Sequence, residues 1–165
     1  MEGTVQEGAN FLKAGEHVNS KSEHSDTPLH YASSFNKGQM VWFLISNGAE
    51  LESRNAWGAT PLFAAIKHEK WDNAKLLIEN GADVNATLKS TTERLKGENT
   101  LQFLIGNIPD HETAELLIEN NVNINAIDHF GMTPLDWTKG RNGEKGAIAK
   151  TLLEHGAKTA EELKS

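Results

Sequence analysis

The chain has 165 residues, of which 38% are hydrophobic, with a formal net charge of −7 and a sequence pI near 5.5. That acidic balance disfavours nucleic acid, whose phosphates require a basic surface, and no apolar run approaches the roughly 18 residues of a membrane-spanning helix. The lack of cysteine rules out disulfides and thiolate metal sites, and Met1-Glu2-Gly3-Thr4 is not the charged and then apolar start of a secretion signal, so the expectation is a cytoplasmic protein, unless a leader or an upstream segment has been removed.

The first predicted element is a helix over about Thr4 to Ala14, followed by Gly15 and Val18-Asn19. It has no partner helix before it, and reads either as an N-terminal cap or as what is left of a cut unit. Thr27 then opens a helix as its N-cap, with Pro28 at the first helical position, where a missing amide costs nothing. Leu29 and Ala32 lie three apart and give this short helix one apolar face. Asn36, Lys37 and Gly38 break it. A second helix from about Gln39 carries Met40, Val41, Leu44 and Ile45 as its buried stripe, and Gly48 supplies the left-handed residue that closes it. An extended stretch, Ala49 to Ala56, and a turn at Gly58 lead to Thr60.

There the pattern starts again. Thr27-Pro28-Leu29-His30 returns as Thr60-Pro61-Leu62-Phe63, as the worn copy Asn99-Thr100-Leu101-Gln102, and as Thr133-Pro134-Leu135-Asp136, with starts 33, 39 and 34 residues apart. A second phrase, an apolar pair followed by Gly or Asn, keeps step at Phe11/Leu12, Leu44/Ile45, Leu77/Ile78, Leu117/Ile118 and Leu152/Leu153. Two phrases sharing one period define a repeat array, in which each unit (helix, turn, helix, finger) has too little core to stand alone.

Further along, the span from Asn85 to Asn99 is 14 residues where its counterparts, Asn19 to Thr27 and Asn125 to Thr133, are 8, so six residues have been inserted into the finger Thr87 to Glu98. The turn Gly106-Asn107-Ile108-Pro109-Asp110 is one residue longer than those before it, and the turn at Lys139-Gly140-Arg141-Asn142-Gly143 two residues longer. Thr159 to Leu163 reads as a short polar helix, N-capped by Thr159, that covers the end of the array.

Thr27 to Ala32 spells Thr-Pro-Leu-His-x-Ala, and Leu76-Leu77-Ile78-Glu79-Asn80-Gly81-Ala82-Asp83-Val84-Asn85 closes a second helix; together they resemble the ankyrin repeat over almost the whole chain. The resemblance implies an all-α solenoid of stacked antiparallel helix pairs with β-hairpin fingers. It divides one domain, residues 1–165, into a half-repeat at 1–19 and repeats at 20–52, 53–85, 86–125 and 126–165. It implies that His30 bonds to backbone and ties neighbouring repeats together, and that Asn19, Asn85 and Asn125 bond across their turn. It also implies a monomeric module that binds a partner protein through finger tips and the concave face of the first helices.

On that pattern the finger tips carry Glu23, His24 and Asp26, then Ala56, Trp57 and Ala59, then Leu95, Lys96 and Glu98, and last His129, Phe130 and Met132. The concave positions are Ser34 and Phe35, Lys67 and His68, and Gly106 and Asn107. Trp57, Phe130, Met132 and Phe35 stand out, because aromatic anchors make interface hot spots; the competing reading has the rings folded back on a neighbouring finger. His129 and His68 complete the candidate contacts, with Arg94 and Lys96 of the inserted finger, where Lys89 joins them in the one locally basic stretch. Trp71 and Trp137 fall at core positions, and Trp42, at a usually polar position of the second helix, is expected to pack beneath an adjacent loop, the alternative being a second contact patch on the convex side. No motif calls for a cofactor or a metal. The expectation is a non-enzymatic binding module. The alternatives are an enzyme or a small-ligand or metal protein using the His24/His68/His129 face or the inserted finger, or a fragment of a larger protein.

Overall fold

The computed structural model describes residues 17–88, 99–139 and 144–165. Eight helices lie among the described residues: α1 (Pro28–Ser34), α2 (Gly38–Ser46), α3 (Pro61–Lys67), α4 (Trp71–Glu79), α5 (Thr100–Asn107), α6 (His111–Glu119), α7 (Pro134–Trp137) and α8 (Glu144–Glu154). The helix expected over Thr4 to Ala14, most of the inserted finger and residues 140–143 lie outside the described residues.

The first helix of each pair starts from the same cap. Thr27, Thr60, Asn99 and Thr133 are extended, and the side chain of each accepts the backbone N–H three residues on, from His30, Phe63, Gln102 and Asp136. In three of the four the bond is returned, which completes a capping box: the N-cap N–H donates to His30 Nδ1 at 3.1 Å, to Gln102 Oε1 at 3.1 Å and to Asp136 Oδ2 at 3.0 Å. Phe63 has no atom that could return it. The worn copy Asn99-Thr100-Leu101-Gln102 therefore caps as fully as the Thr-Pro-Leu-His original.

The second helices end alike. Gly48, Gly81, Asn121 and Gly156 are all left-handed, with φ of 84°, 91°, 63° and 81°. The next N–H then reaches back past the helix end, from Ala49 to Leu44 O, Ala82 to Leu77 O, Val122 to Leu117 O and Ala157 to Leu152 O.

The chain forms two compact units, residues 1–83 and 84–165. In the first, α1 packs on α2 and α3, and α4 on α2 and α3, so the first helices form one layer and the second helices another. Leu29, Val41, Leu44, Leu62, Ile66 and Leu77 fill the space between and are almost fully buried. The second unit repeats the scheme, with α5 on α6 and α7, and α8 on α6 and α7, around Leu101, Leu104, Leu117, Ile148 and Leu152. Each such side chain contributes about 2 kcal/mol of apolar burial.

The fingers are hairpins of a single rung. Ser22 N donates to Asp26 O at 3.0 Å, Asn55 N to Ala59 O at 3.1 Å and Asp128 N to Met132 O at 3.1 Å. No strand forms among the described residues, because the chain leaves each rung directly for the N-cap of the next helix; Thr87 and Asn99 make one isolated antiparallel bridge. At the end of the chain Thr159 makes a capping box with Glu162, as the sequence suggests. The cap opens a single turn, closed by Leu163 N to Thr159 O at 3.1 Å, and not a helix.

Candidate partner-binding site

Two columns of side chains fix the fingers. In the first, the residue that returns the capping bond also reaches the following finger. His30 Nε2 lies 3.0 Å from Ala59 O, and since Nδ1 accepts the Thr27 N–H, the ring proton sits on Nε2 and is donated to that carbonyl. Gln102 Nε2 donates to Ala126 O at 3.0 Å and Met132 O at 2.9 Å. Asp136 inverts the polarity: its Oδ2 accepts Ala160 N at 2.9 Å, and Oδ1 pairs with Lys139 at 2.8 Å. Burial works to raise the Asp136 pKa and is outweighed by the bonds from Lys139, Ala160 and Thr133, which hold the carboxyl far below the usual range.

The second column corrects the expectation for the asparagines. Asn19, Asn85 and Asn125 bond to the next repeat. Asn19 donates to Gly48 O at 3.2 Å and accepts Glu50 N at 2.9 Å; Asn85 donates to Asn121 O and accepts Asn123 N; Asn125 accepts Lys158 N. Glu52 occupies the same column and accepts Asp83 N at 2.8 Å. Its residue type differs from that of the asparagines, so the repeated pattern alone does not point to it.

On this frame the tips at Trp57 and Phe130 are each held by one side chain. Asn55 Oδ1 accepts Trp57 N at 3.0 Å and Ala59 N at 3.1 Å, while its Nδ2 donates to Asp26 Oδ1 at 2.8 Å. Ala56 N also donates to His24 O at 2.8 Å, joining this finger to the one before it. Trp57 is 55% exposed, with the His24 ring at 5.4 Å. In the second unit Asp128 does the same work. Its Oδ1 accepts Phe130 N at 2.9 Å and Met132 N at 3.0 Å, and its Oδ2 accepts Trp137 Nε1 at 2.7 Å. Phe130 stands edge-on over Trp137 at 6.1 Å, touches the His129 ring at 3.8 Å and is still 54% exposed. Each ring thus rests one side on a neighbour and presents the other to solvent. From Asn120 to Leu135 the one formally charged residue is Asp128, which is buried and accepts three hydrogen bonds, so the exposed side chains of this tip carry no formal charge.

The other candidates divide. Phe35 is exposed just past the end of α1, and Tyr31, one turn earlier, is exposed with it. Tyr31 and Ile127, also exposed, are not singled out by the sequence; the spacing of four between Tyr31 and Phe35 is the available signal for the first. His68 is exposed at the C-cap of α3, and His129 is exposed beside Phe130. Met132 is half-buried, with its backbone engaged by Gln102 and Asp128. Arg94 and Lys96 lie outside the described residues.

Two tryptophans depart from expectation. Trp42 is not packed beneath a loop but 56% exposed on α2, at the place held by Lys75 and Glu115 in the following pairs. Trp71 is half-buried and lines an open cavity of about 360 Å³ with Asn36, Glu69 and Asn73. The interior place belongs to Asn73, whose amide donates to the carbonyls of Ala32, Ser33 and Phe35. Trp137 is also half-buried, and its role is structural: Nε1 donates to Asp128 and the ring lies beneath Phe130. His24 and His68 belong to the first unit and His129 to the second, and no three metal-ligating side chains converge among the described residues.

No helix among the described residues is long and apolar enough to cross a membrane. A family model described as ankyrin repeats, in three copies, matches residues 2–87. No curated protein matches the chain.

Proposed function

The chain belongs to the ankyrin-repeat family, and on that premise we propose that it is a non-enzymatic module that binds a partner protein through its finger tips and the exposed side of its first helices. Repeats of this family generally serve protein–protein interaction. Trp57 is the anchor in the first unit, with Phe35 and His68 as further contacts there, and Phe130 is the anchor in the second, with Met132 and His129, and with Arg94 and Lys96 of the inserted finger.

The observation that carries this reading is that both rings are half-exposed on tips whose backbone is already hydrogen-bonded by Asn55 and Asp128. Large rings presented on an ordered backbone lose little conformational freedom on binding, so more of their burial appears as affinity. Solubility alone would put polar side chains there. The test is capture of a partner from extracts of the source cells by the immobilised chain, beside Trp57→Ala/Phe130→Ala. Partner retained by the native chain and lost by the variant supports the proposal; equal retention by both removes it.

A further inference from the structure

We propose that the capping boxes give the chain a repeat-specific response to acid, in which the His30 box loses its hold on the Thr27 amide as the pH falls while the Gln102 and Asp136 boxes keep theirs. The inference concerns how the first helices are capped, and holds whether or not Trp57 is a contact residue.

Three equivalent boxes close on three different acceptors. Thr27 N–H donates to an imidazole nitrogen, Asn99 N–H to an amide oxygen and Thr133 N–H to a carboxylate. Of these only the imidazole changes state in mildly acidic solution. The neutral ring uses both nitrogens: Nδ1 accepts Thr27 N–H at 3.1 Å and lies 2.8 Å from Thr27 Oγ1, while Nε2 donates to Ala59 O at 3.0 Å. A second proton on Nδ1 would point a donor at a donor. Thr27 Oγ1 could take that proton's hydrogen bond, but Thr27 N–H, in a residue that is 1% exposed, would lose its acceptor. Protonation would also place a charge on a ring that is 2% exposed.

The surroundings do not rescue the charged form. Burial, the largest influence, pushes the His30 pKa down; the Ala59 carbonyl and Asp26 oppose it, and Lys21 adds to it. α2 has no ionisable residue, α3 has Lys67 at its last position, and Arg54 in the receiving finger donates to Gly58 O. With the folded pKa below the unfolded value of about 6.5, the unfolded chain binds the proton first. The stabilisation is complete above about pH 6.5 and is lost below it, by at most about tenfold in the opening equilibrium per pH unit for one proton. The Nε2–H bond to Ala59 O is made by the neutral and the charged ring alike, so the bond that acid removes is the one at Thr27.

The experiment follows amide hydrogen exchange of the full chain by NMR between about pH 7.5 and about pH 5, corrected for intrinsic exchange. Protection at Thr27 should fall with acid, while Asn99 and Thr133 hold theirs. His30→Gln, which copies Gln102, should make Thr27 as pH-insensitive as Asn99. Gln102→His should transfer the acid sensitivity to Asn99. Equal pH dependence at the three native amides would overturn the proposal, as would acid sensitivity that survives His30→Gln. If His30→Gln does not fold, Gln102→His decides: an Asn99 amide still insensitive to acid refutes it.

Discussion

Asn19 uses both ends of its amide to join loops some thirty residues apart, holding Gly48 O and Glu50 N at once. Asn19→Ala removes both bonds, and denaturant unfolding should show a loss of about 1–2 kcal/mol. Ser33 is the opposite case. Its hydroxyl is fully buried and has no hydrogen-bond partner among the described residues, so Ser33→Ala removes a desolvated group without removing an interaction seen there. Its unfolding midpoint should stay level or rise, by up to about 1 kcal/mol of stability; a clear fall would mean that the hydroxyl is satisfied in solution. The caps Thr27, Thr60 and Thr133 are legible in the sequence because capping is local chemistry, complete within four residues. The partners of Asn19 and the place of Glu52 are not, because those bonds cross from one repeat to the next and exist only once the repeats are stacked.

Helix boundaries track the sequence closely, since Thr-Pro starts and Gly or Asn stops act within one turn. Interior and exterior are harder to assign on the second helices. Trp71 reads as core, yet the buried place belongs to Asn73, which is 2% exposed and whose amide collects the carbonyls at the end of α1. Hydropathy cannot show this, because the site is buried and polar at once: it is a helix C-terminus whose carbonyls need a donor. Asn73→Ala should therefore cost about 1–3 kcal/mol and lower hydrogen-exchange protection of α1 more than that of α4, the helix that carries the mutation. A loss confined to α4 would show the amide to be a local feature. Trp42 escapes a hydropathy reading for a related reason. An indole is apolar by composition, but its column on α2 faces outward, as Lys75 and Glu115 do on the helices that follow.

At the scale of the molecule, the repeat register and the ankyrin family can be read from two phrases and their spacing, because stacking requires the same contacts at every step. The finger tips can be located that way but not evaluated. Whether Trp57 and Phe130 cover a neighbour or face solvent depends on Asn55 and Asp128 holding the turns, and on His24 and Trp137 beneath the rings. The proposed function rests on those two tips. Trp42 provides the control, being as exposed as Trp57 but outside any finger. The decisive measurement is the dissociation constant of the captured partner for the native chain, Trp57→Ala and Trp42→Ala, with the melting temperature of each. The account predicts that Trp57→Ala weakens binding by about thirtyfold or more, the size of a 2 kcal/mol hot spot, with little change in melting temperature, and that Trp42→Ala binds like the native chain. Native affinity in Trp57→Ala, or a loss of affinity in Trp42→Ala alone, would contradict it.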